Sequence, residues 1–258
     1  MMLSIQGASI NFGGVHALKD VTFQVKGGSI KAIIGPNGAG KTTLFNLISG
    51  FYPPVSGRIL FHDREIQGFR PHQVAALGIS RTFQNVELFD NMTVVENVML
   101  GRHARSSAGL VRGLIGSALR SPFVRREERD IKKRAMEYLD FVCLAPRAQD
   151  NALALPLGHQ RYLEIARALA AEPRLLLLDE PAAGLDERET EDLARLIGEI
   201  RKLDITIMLV EHDMNLTMDI SEEIVVLDHG ELIAEGTPRE IQNDTRVIEA
   251  YLGEDIGD

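Results

Sequence analysis

The chain has 258 residues, 45% of them hydrophobic and 25% charged, which suits one large or two small domains with a sizeable core. Its 28 Lys and Arg are outweighed by 37 Asp and Glu, and the isoelectric point near 5.3 speaks against a globally basic nucleic-acid binder. The single cysteine, Cys143, excludes an intramolecular disulfide. Its neighbours Val142 and Leu144 predict a buried structural thiol in a reducing setting.

Apolar runs such as 205–210 are far shorter than the roughly 18 to 20 residues that span a bilayer. Residues 1–6 lack the basic and apolar regions of a secretory signal, so a cytoplasmic chain is expected. Alternation at Leu3 and Ile5, then at Val21, Phe23 and Val25, with turns at Gly13-Gly14 and Gly27-Gly28, predicts antiparallel strands. Residues 30–34 read as a buried strand, followed by a glycine-rich loop and a helix over 41–49. A strand over 56–61 and a short helix opened by Pro71 and stopped at Gly78 come next. Residues 93–144 read as helices broken by Gly109, Gly113 and Gly116, the most charged of them over 125–144.

Beyond this helical insert the chain predicts a helix over 158–171 and a wholly buried strand at 175–178. A capping box at Asp186 and Glu189 starts a helix that buries Leu193, Ile197, Ile200 and Leu203. A strand over 205–210, a hairpin around His229-Gly230 and a second capping box at Thr237 and Glu240 complete the pattern. Strands alternating with helices imply an α/β fold with a parallel sheet.

Gly35-Pro36-Asn37-Gly38-Ala39-Gly40-Lys41-Thr42 fits the phosphate-binding loop G-x-x-x-x-G-K-[ST], and it sits between a predicted strand and a helix N-terminus. Glycines let successive backbone N–H groups face phosphate oxygens, and the helix end adds partial positive charge. Lys41 would reach the β- and γ-phosphates and Thr42 would offer its hydroxyl to Mg²⁺, with Thr43 counted beside them among the nucleotide-binding positions. The leucines of 175–178 end in Asp179 and Glu180, two carboxylates at the C-terminal edge of a buried strand. Asp179 is the candidate Mg²⁺ ligand and Glu180 the candidate base for an attacking water. No Asn-Lys-x-Asp occurs, which argues against a guanine-reading GTPase. The seven histidines show no metal-ligand spacing, which leaves Mg²⁺ as the only metal expected.

With these motifs in hand, the sequence resembles the ATP-binding subunits of ABC transporters over nearly its whole length. The matching pieces are 80–84 ending in Gln84, 155–161 in place of the signature, Gly184-Leu185-Asp186 as the D-loop, and Glu211-His212-Asp213 with the switch histidine. Within that superfamily the stretches 85–102, 164–169, 181–185 and 247–253 look most like the branched-chain amino-acid importer branch. The resemblance implies a P-loop ATPase core with an antiparallel β subdomain (1–84 and 153–236), a helical subdomain (85–152) and C-terminal helices (237–258). It also implies two ATPase subunits, of the same or a related chain, stacked head to tail. Each MgATP would lie between one P-loop and the partner's signature, with Gly158 at a helix N-terminus and Asp186 near the opposite site. Gln84 would sense Mg²⁺ and the water, and His212 would contact the γ-phosphate. Phe12 stands where the family stacks an aromatic on adenine; it is equally placed to pack in the β-subdomain core.

The implied partners are integral-membrane permeases and, through them, a solute-binding protein, with no nucleic acid. The implied place is the cytoplasmic face of the inner membrane. Two rivals share the P-loop: a lipopolysaccharide-type export ATPase and a soluble ABC ATPase acting on DNA or the ribosome. The signature departs from Leu-Ser-Gly-Gly-Gln at Pro156, Leu157 and His159, which removes the serine hydroxyl. Residues 101–134 carry ten basic against three acidic side chains, a pattern that fits anionic lipid or permease loops, or a solvated helix with internal pairs. Phe89 and Met92 either line a groove for a permease helix or belong to the core.

Overall fold

Glycine-turned alternation at the start of the chain produces β1 (Leu3–Phe12) and β2 (Val15–Val25), paired antiparallel with Ile5 opposite Phe23. The computed structural model describes residues 1–84, 86–103 and 122–252, and its chain divides into two units, Met1–Arg81 with Arg174–Asp258 and Thr82–Pro173. In the first unit, β1 also pairs with β4 (Ser56–Phe61), and β4 with the two-residue β5 (Arg64–Glu65), which closes a four-stranded antiparallel sheet.

A six-stranded sheet carries the rest of this unit. Its order is β10 (Glu231–Gly236), β9 (Glu223–Asp228), β3 (Ile30–Ile34), β8 (Thr206–Val210), β7 (Leu175–Asp179) and β6 (Ile79–Arg81). All neighbours run parallel except the β9–β10 hairpin, where His229 and Gly230 both take the positive φ that a tight two-residue turn requires. The central strands β3, β7 and β8 are buried at every residue, as expected of a sheet covered on both faces. On one face Ile33 packs with Leu44, Phe45 and Ile48 of α1 (Lys41–Ile48). On the other, Ala32 and Ile34 pack with Ile241 and Val247 of α8 (Pro238–Gln242) and α9 (Thr245–Leu252).

The remaining helices of this unit are α2 (Pro71–Ala76), α6 (Glu187–Lys202) and α7 (Met214–Ile220). Both predicted capping boxes form: Asp186 accepts from the Glu189 amide at the start of α6, and Thr237 does the same for Glu240 at α8. Leu193, Ile197 and Ile200 are buried as expected. Leu203 is 52% exposed, contrary to expectation, because it is the C-cap residue and has left the helical phase that turns the others inward. Strand β6 and helix α7 were not anticipated, being too short to show a period.

One buried charge ties the two sheets together. Lys31 on β3 is almost fully buried, and its Nζ donates to the Gln24 carbonyl at 2.5 Å and to Glu235 at 2.5 Å. A third contact reaches Glu223 at 3.0 Å, so β2, β3, β9 and β10 meet at one ammonium group. The Lys26 hydrogen bond, with help from Lys31, holds the Glu223 carboxyl below the usual carboxylate range.

The second unit is helical: α3 (Val94–His103), α4 (Pro122–Phe141) and α5 (Leu157–Ala170), with two 3₁₀ turns. Gly109, Gly113, Gly116 and most of the basic stretch lie outside the described residues. Arg102 pairs with Glu172, and Arg134 with Glu137. Phe89 is 51% exposed beneath the Arg167 guanidinium, so it is not a core residue.

Cys143 is exposed, which overturns the expected burial. It occupies the left-handed position after α4, with φ 60. The Leu144 amide bonds back to Leu139 and the Cys143 amide to Asp140, the two bonds of a Schellman stop. That turn drives Val142 and Leu144 inward and the thiol outward.

Helices α3 and α5 approach closely at Gly101, where a Cβ would lie 2.0 Å from the Arg167 carbonyl oxygen. Gly101→Ala must therefore push the helices apart, and urea unfolding is expected to show a loss of about 2 kcal/mol. A midpoint equal to that of the parent chain would refute the tight crossing.

Candidate active site

The three central parallel strands end on one edge, and each hands its chain to a segment bearing a predicted functional residue. After β3 come Gly35, Pro36, Asn37, Gly38, Ala39 and Gly40, then Lys41, Thr42 and Thr43 in the first turn of α1. Two of these glycines are sterically required. A Cβ on Gly35 would sit 2.0 Å from the Leu227 carbonyl oxygen, and one on Gly40 would sit 2.6 Å from that of Ala17. Both also have positive φ, which favours glycine. Glycine at both positions lets the loop make these close backbone approaches, and a phosphate cradle needs a loop of this kind. Lys41 is buried, and its Nζ donates to the carbonyls of Gly35 at 2.6 Å and Pro36 at 2.8 Å, so the ammonium lies across the loop that it follows.

After β7 come Asp179 and Glu180. Asp179 is 1% exposed, and its Oδ2 accepts from Arg81 Nη2 at 2.7 Å. Burial raises its carboxyl above the ordinary range, and the Arg81 hydrogen bond and charge pull it back. Carboxylate and hydroxyl oxygens of Asp179 and Thr42 are the hard donors that suit Mg²⁺. Glu180 adopts φ 47, a left-handed conformation that costs a non-glycine residue of order 1 kcal/mol or more and redirects its side chain out of the strand. Its amide is tied to the Val210 carbonyl at 2.8 Å. Its Oε1 lies 2.9 Å from His212 Nε2, so the predicted base and the predicted histidine are in direct contact.

Glu211, which the sequence reading did not single out, organises this contact. It is 3% exposed; Oε1 accepts from the Ala182 amide at 2.7 Å, and Oε2 from His212 at 2.9 Å and Asp213 at 3.2 Å. One buried carboxylate thus joins the loop after β7 to the loop after β8, with Glu180 on the first and His212 on the second. Burial raises this carboxyl also, opposed by the three amides. Its only sequence signal was its place beside His212.

Asp186 lies on the same segment as Glu180 and caps α6 through Oδ1. Phe12, at the end of β1, is 43% exposed and stands edge-on to Tyr52 at 5.2 Å. It therefore does not pack in the β-sheet core, the second of the two placements the sequence allowed.

Gln84 and Gly158 belong to the helical unit. Pro156 is the N-cap of α5, without a side-chain capping bond, and the helix begins at Leu157, one residue before the predicted start. Arg161, one turn on, donates to the Gln84 carbonyl at 2.8 Å and to that of Phe83 at 3.3 Å. Within this unit the glutamine segment is thus fastened to the first turns of the helix that carries Gly158.

Comparison with known proteins agrees with this arrangement. Residues 18–183 match the ABC transporter family model, and residues 231–256 match that of the branched-chain amino acid ATP-binding cassette transporter. The chain is 44% identical over 98% of both lengths to the high-affinity branched-chain amino acid transport ATP-binding proteins BraF of Pseudomonas aeruginosa and LivG of Escherichia coli. Among solved structures, a nucleotide-free ATP-binding cassette from an ABC transporter superposes with a TM-score of 0.84 at 29% identity, covering 97% of this chain and 98% of that one. A dimeric cassette in a post-hydrolysis state bound to ADP and Pi superposes with a TM-score of 0.76 at 26% identity, over 92% and 99% of the two chains. The chain belongs to the ATP-binding subunit family of ABC transporters.

Proposed function

We propose that the protein is the ATP-hydrolysing subunit of an importer for branched-chain, hydrophobic amino acids. The observation that carries the chemistry is the 2.9 Å contact between Glu180 and His212 at the strand edge that also bears the phosphate loop. The importer role is supported by the match of residues 231–256 and by relatives of nearly equal length. They favour it over lipopolysaccharide export and over action on DNA or ribosomes.

In the proposed reaction, Gly35 to Thr43 cradle the triphosphate and Phe12 carries the adenine. Glu180 takes a proton from the water that attacks the γ-phosphorus, and ADP leaves. His212 holds the carboxylate of Glu180 in place and meets the γ-phosphate. Thr42, Asp179 and Gln84 are assigned to Mg²⁺, which when bound supplies charge neutralisation on the phosphates. Gly158 and Asp186 of a second ATPase subunit close the site from across a two-fold axis. ATP then favours the closed dimer, and loss of the γ-phosphate releases it. The closing motion drives two permease subunits, fed by a solute-binding protein. Among the described residues no helix is long and apolar enough to cross a membrane, and the chain is assigned to the cytoplasmic face as a peripheral subunit.

Glu180→Gln is expected to lower the ATPase rate at least about 100-fold and to leave a MgATP-dependent dimer in light scattering; a variant that stays monomeric at saturating MgATP overturns the closed-dimer reading. Glu211→Ala should cut kcat about ten-fold or more by freeing three amides, with little change in ATP affinity. Equal losses in kcat and affinity would show that Glu211 does not act through Glu180 and His212. Pro156→Ser restores a hydroxyl and should strengthen MgATP-dependent dimerisation about ten-fold, the value of one charge-assisted hydrogen bond. Unchanged dimerisation and ATPase rate would mean that the missing hydroxyl has no energetic role here.

A further inference from the structure

Asp179 is held by a side chain that the proposed reaction does not use. Arg81 is the last residue of β6, and its side chain is 7% exposed. Its Nη2 donates to Asp179 Oδ2 at 2.7 Å, and its Nη1 to Asn46 Oδ1 at 2.7 Å, with Ser49 Oγ at 3.4 Å. Phe45 and Phe51 lie against the guanidinium at 5.6 and 6.0 Å. Asn46 belongs to α1, whose first turn holds Lys41 and Thr42, and Ser49 caps that helix. A single planar group therefore spans from the end of β7 to the phosphate-loop helix. Only an arginine fork presents donors separated widely enough to do so.

We propose that Arg81 is a positioning residue that braces the Asp179 carboxylate against α1 and thereby sets the Mg²⁺ dependence of nucleotide binding. This rests on the assignment of Asp179 to Mg²⁺ made above. Asp179 and the first turn of α1 come from distant parts of the chain, and a cation held between them tolerates little change in their spacing. Rotation of the Asp179 side chain would spoil that spacing without unfolding anything. Arg81 restrains the rotation at Oδ2 while gripping α1 with its other terminal nitrogen. A purely structural ion pair behaves differently, because its loss lowers stability and weakens nucleotide binding equally with and without the cation.

The test is calorimetric binding of a non-hydrolysable ATP analogue to the full chain, in EDTA and across a Mg²⁺ titration. Arg81→Met is expected to keep the metal-free affinity within about two-fold and to raise the Mg²⁺ midpoint about ten-fold, the usual effect of losing a group that orients a metal ligand. Arg81→Lys, which cannot reach both partners, should fall between, and Asn46→Ala should raise the midpoint by a smaller factor. A midpoint in Arg81→Met equal to or below that of the parent overturns the brace. Should Arg81→Met fail to fold, parental midpoints in both Arg81→Lys and Asn46→Ala overturn it. Asp179→Asn separates the two levels of the argument. If Asp179→Asn retains the parental Mg²⁺ dependence, the metal assignment itself fails. If it loses that dependence while the Arg81 and Asn46 variants keep parental midpoints, only the brace fails.

Discussion

The register of three parallel strands determines where the chemistry lies. Ile33 of β3 stands opposite Val210 of β8, and Val210 opposite Asp179 of β7, so all three strands reach the same rung together. One step further along each chain stand Ile34 leading into Gly35, Glu211 leading into His212, and Glu180. Neighbouring strands are about 4.8 Å apart, so these segments emerge within roughly 10 Å of one another. A slip of one residue in β7 would carry Glu180 about 3.3 Å along the strand axis and break its contact with His212. The three strands are buried throughout, and a slip would carry the buried charges Lys31 and Asp179 away from their partners.

That placement has an energetic cost. Asp179 and Glu211 are carboxylates taken almost wholly out of water, and burial pushes both upward from their ordinary range. Each is met by donors of a different kind, a guanidinium for Asp179 and three backbone amides for Glu211. The backbone of Glu180 adds strain at φ 47. The core built on Ile33, Leu44, Phe45, Leu175 and Leu177 offsets these terms, as is common where a folded domain carries a reactive site.

Much of this was legible in the sequence, for identifiable reasons. The phosphate loop announced itself because glycine is irreplaceable at Gly35 and Gly40, where backbone oxygens fill the space of a Cβ. The buried strands read as unbroken apolar runs, and both capping boxes carried their reciprocal residue pair. The silent features are those whose cause is tertiary. Arg81 and Glu211 sit among quoted motifs, yet nothing in their spacing tells that one grips Asp179 and α1 or that the other collects three amides. The hydrophobicity of Val142 and Leu144 predicts a buried Cys143, whereas the left-handed turn after α4 separates the thiol from them. Leu203 failed similarly, at the residue where helical phase ends.

Within the helical unit, the segment that carries Gln84 is bonded directly to the helix that carries Gly158. Gln84 is exposed, but its carbonyl is held at 2.8 Å by Arg161, which is itself almost wholly buried. Arg161 lies one turn beyond Gly158 on α5, and Glu164, one turn further, accepts from the Glu87 amide at 3.0 Å. The segment around Gln84 is thus fastened to α5 at successive turns. In the proposed cycle Gln84 follows the cation and Gly158 faces the partner's γ-phosphate. The charge-assisted bond from Arg161 resists separation of the two more strongly than a neutral one. In the proposed cycle this helix is the element through which chemistry at one nucleotide would reach closure over the other.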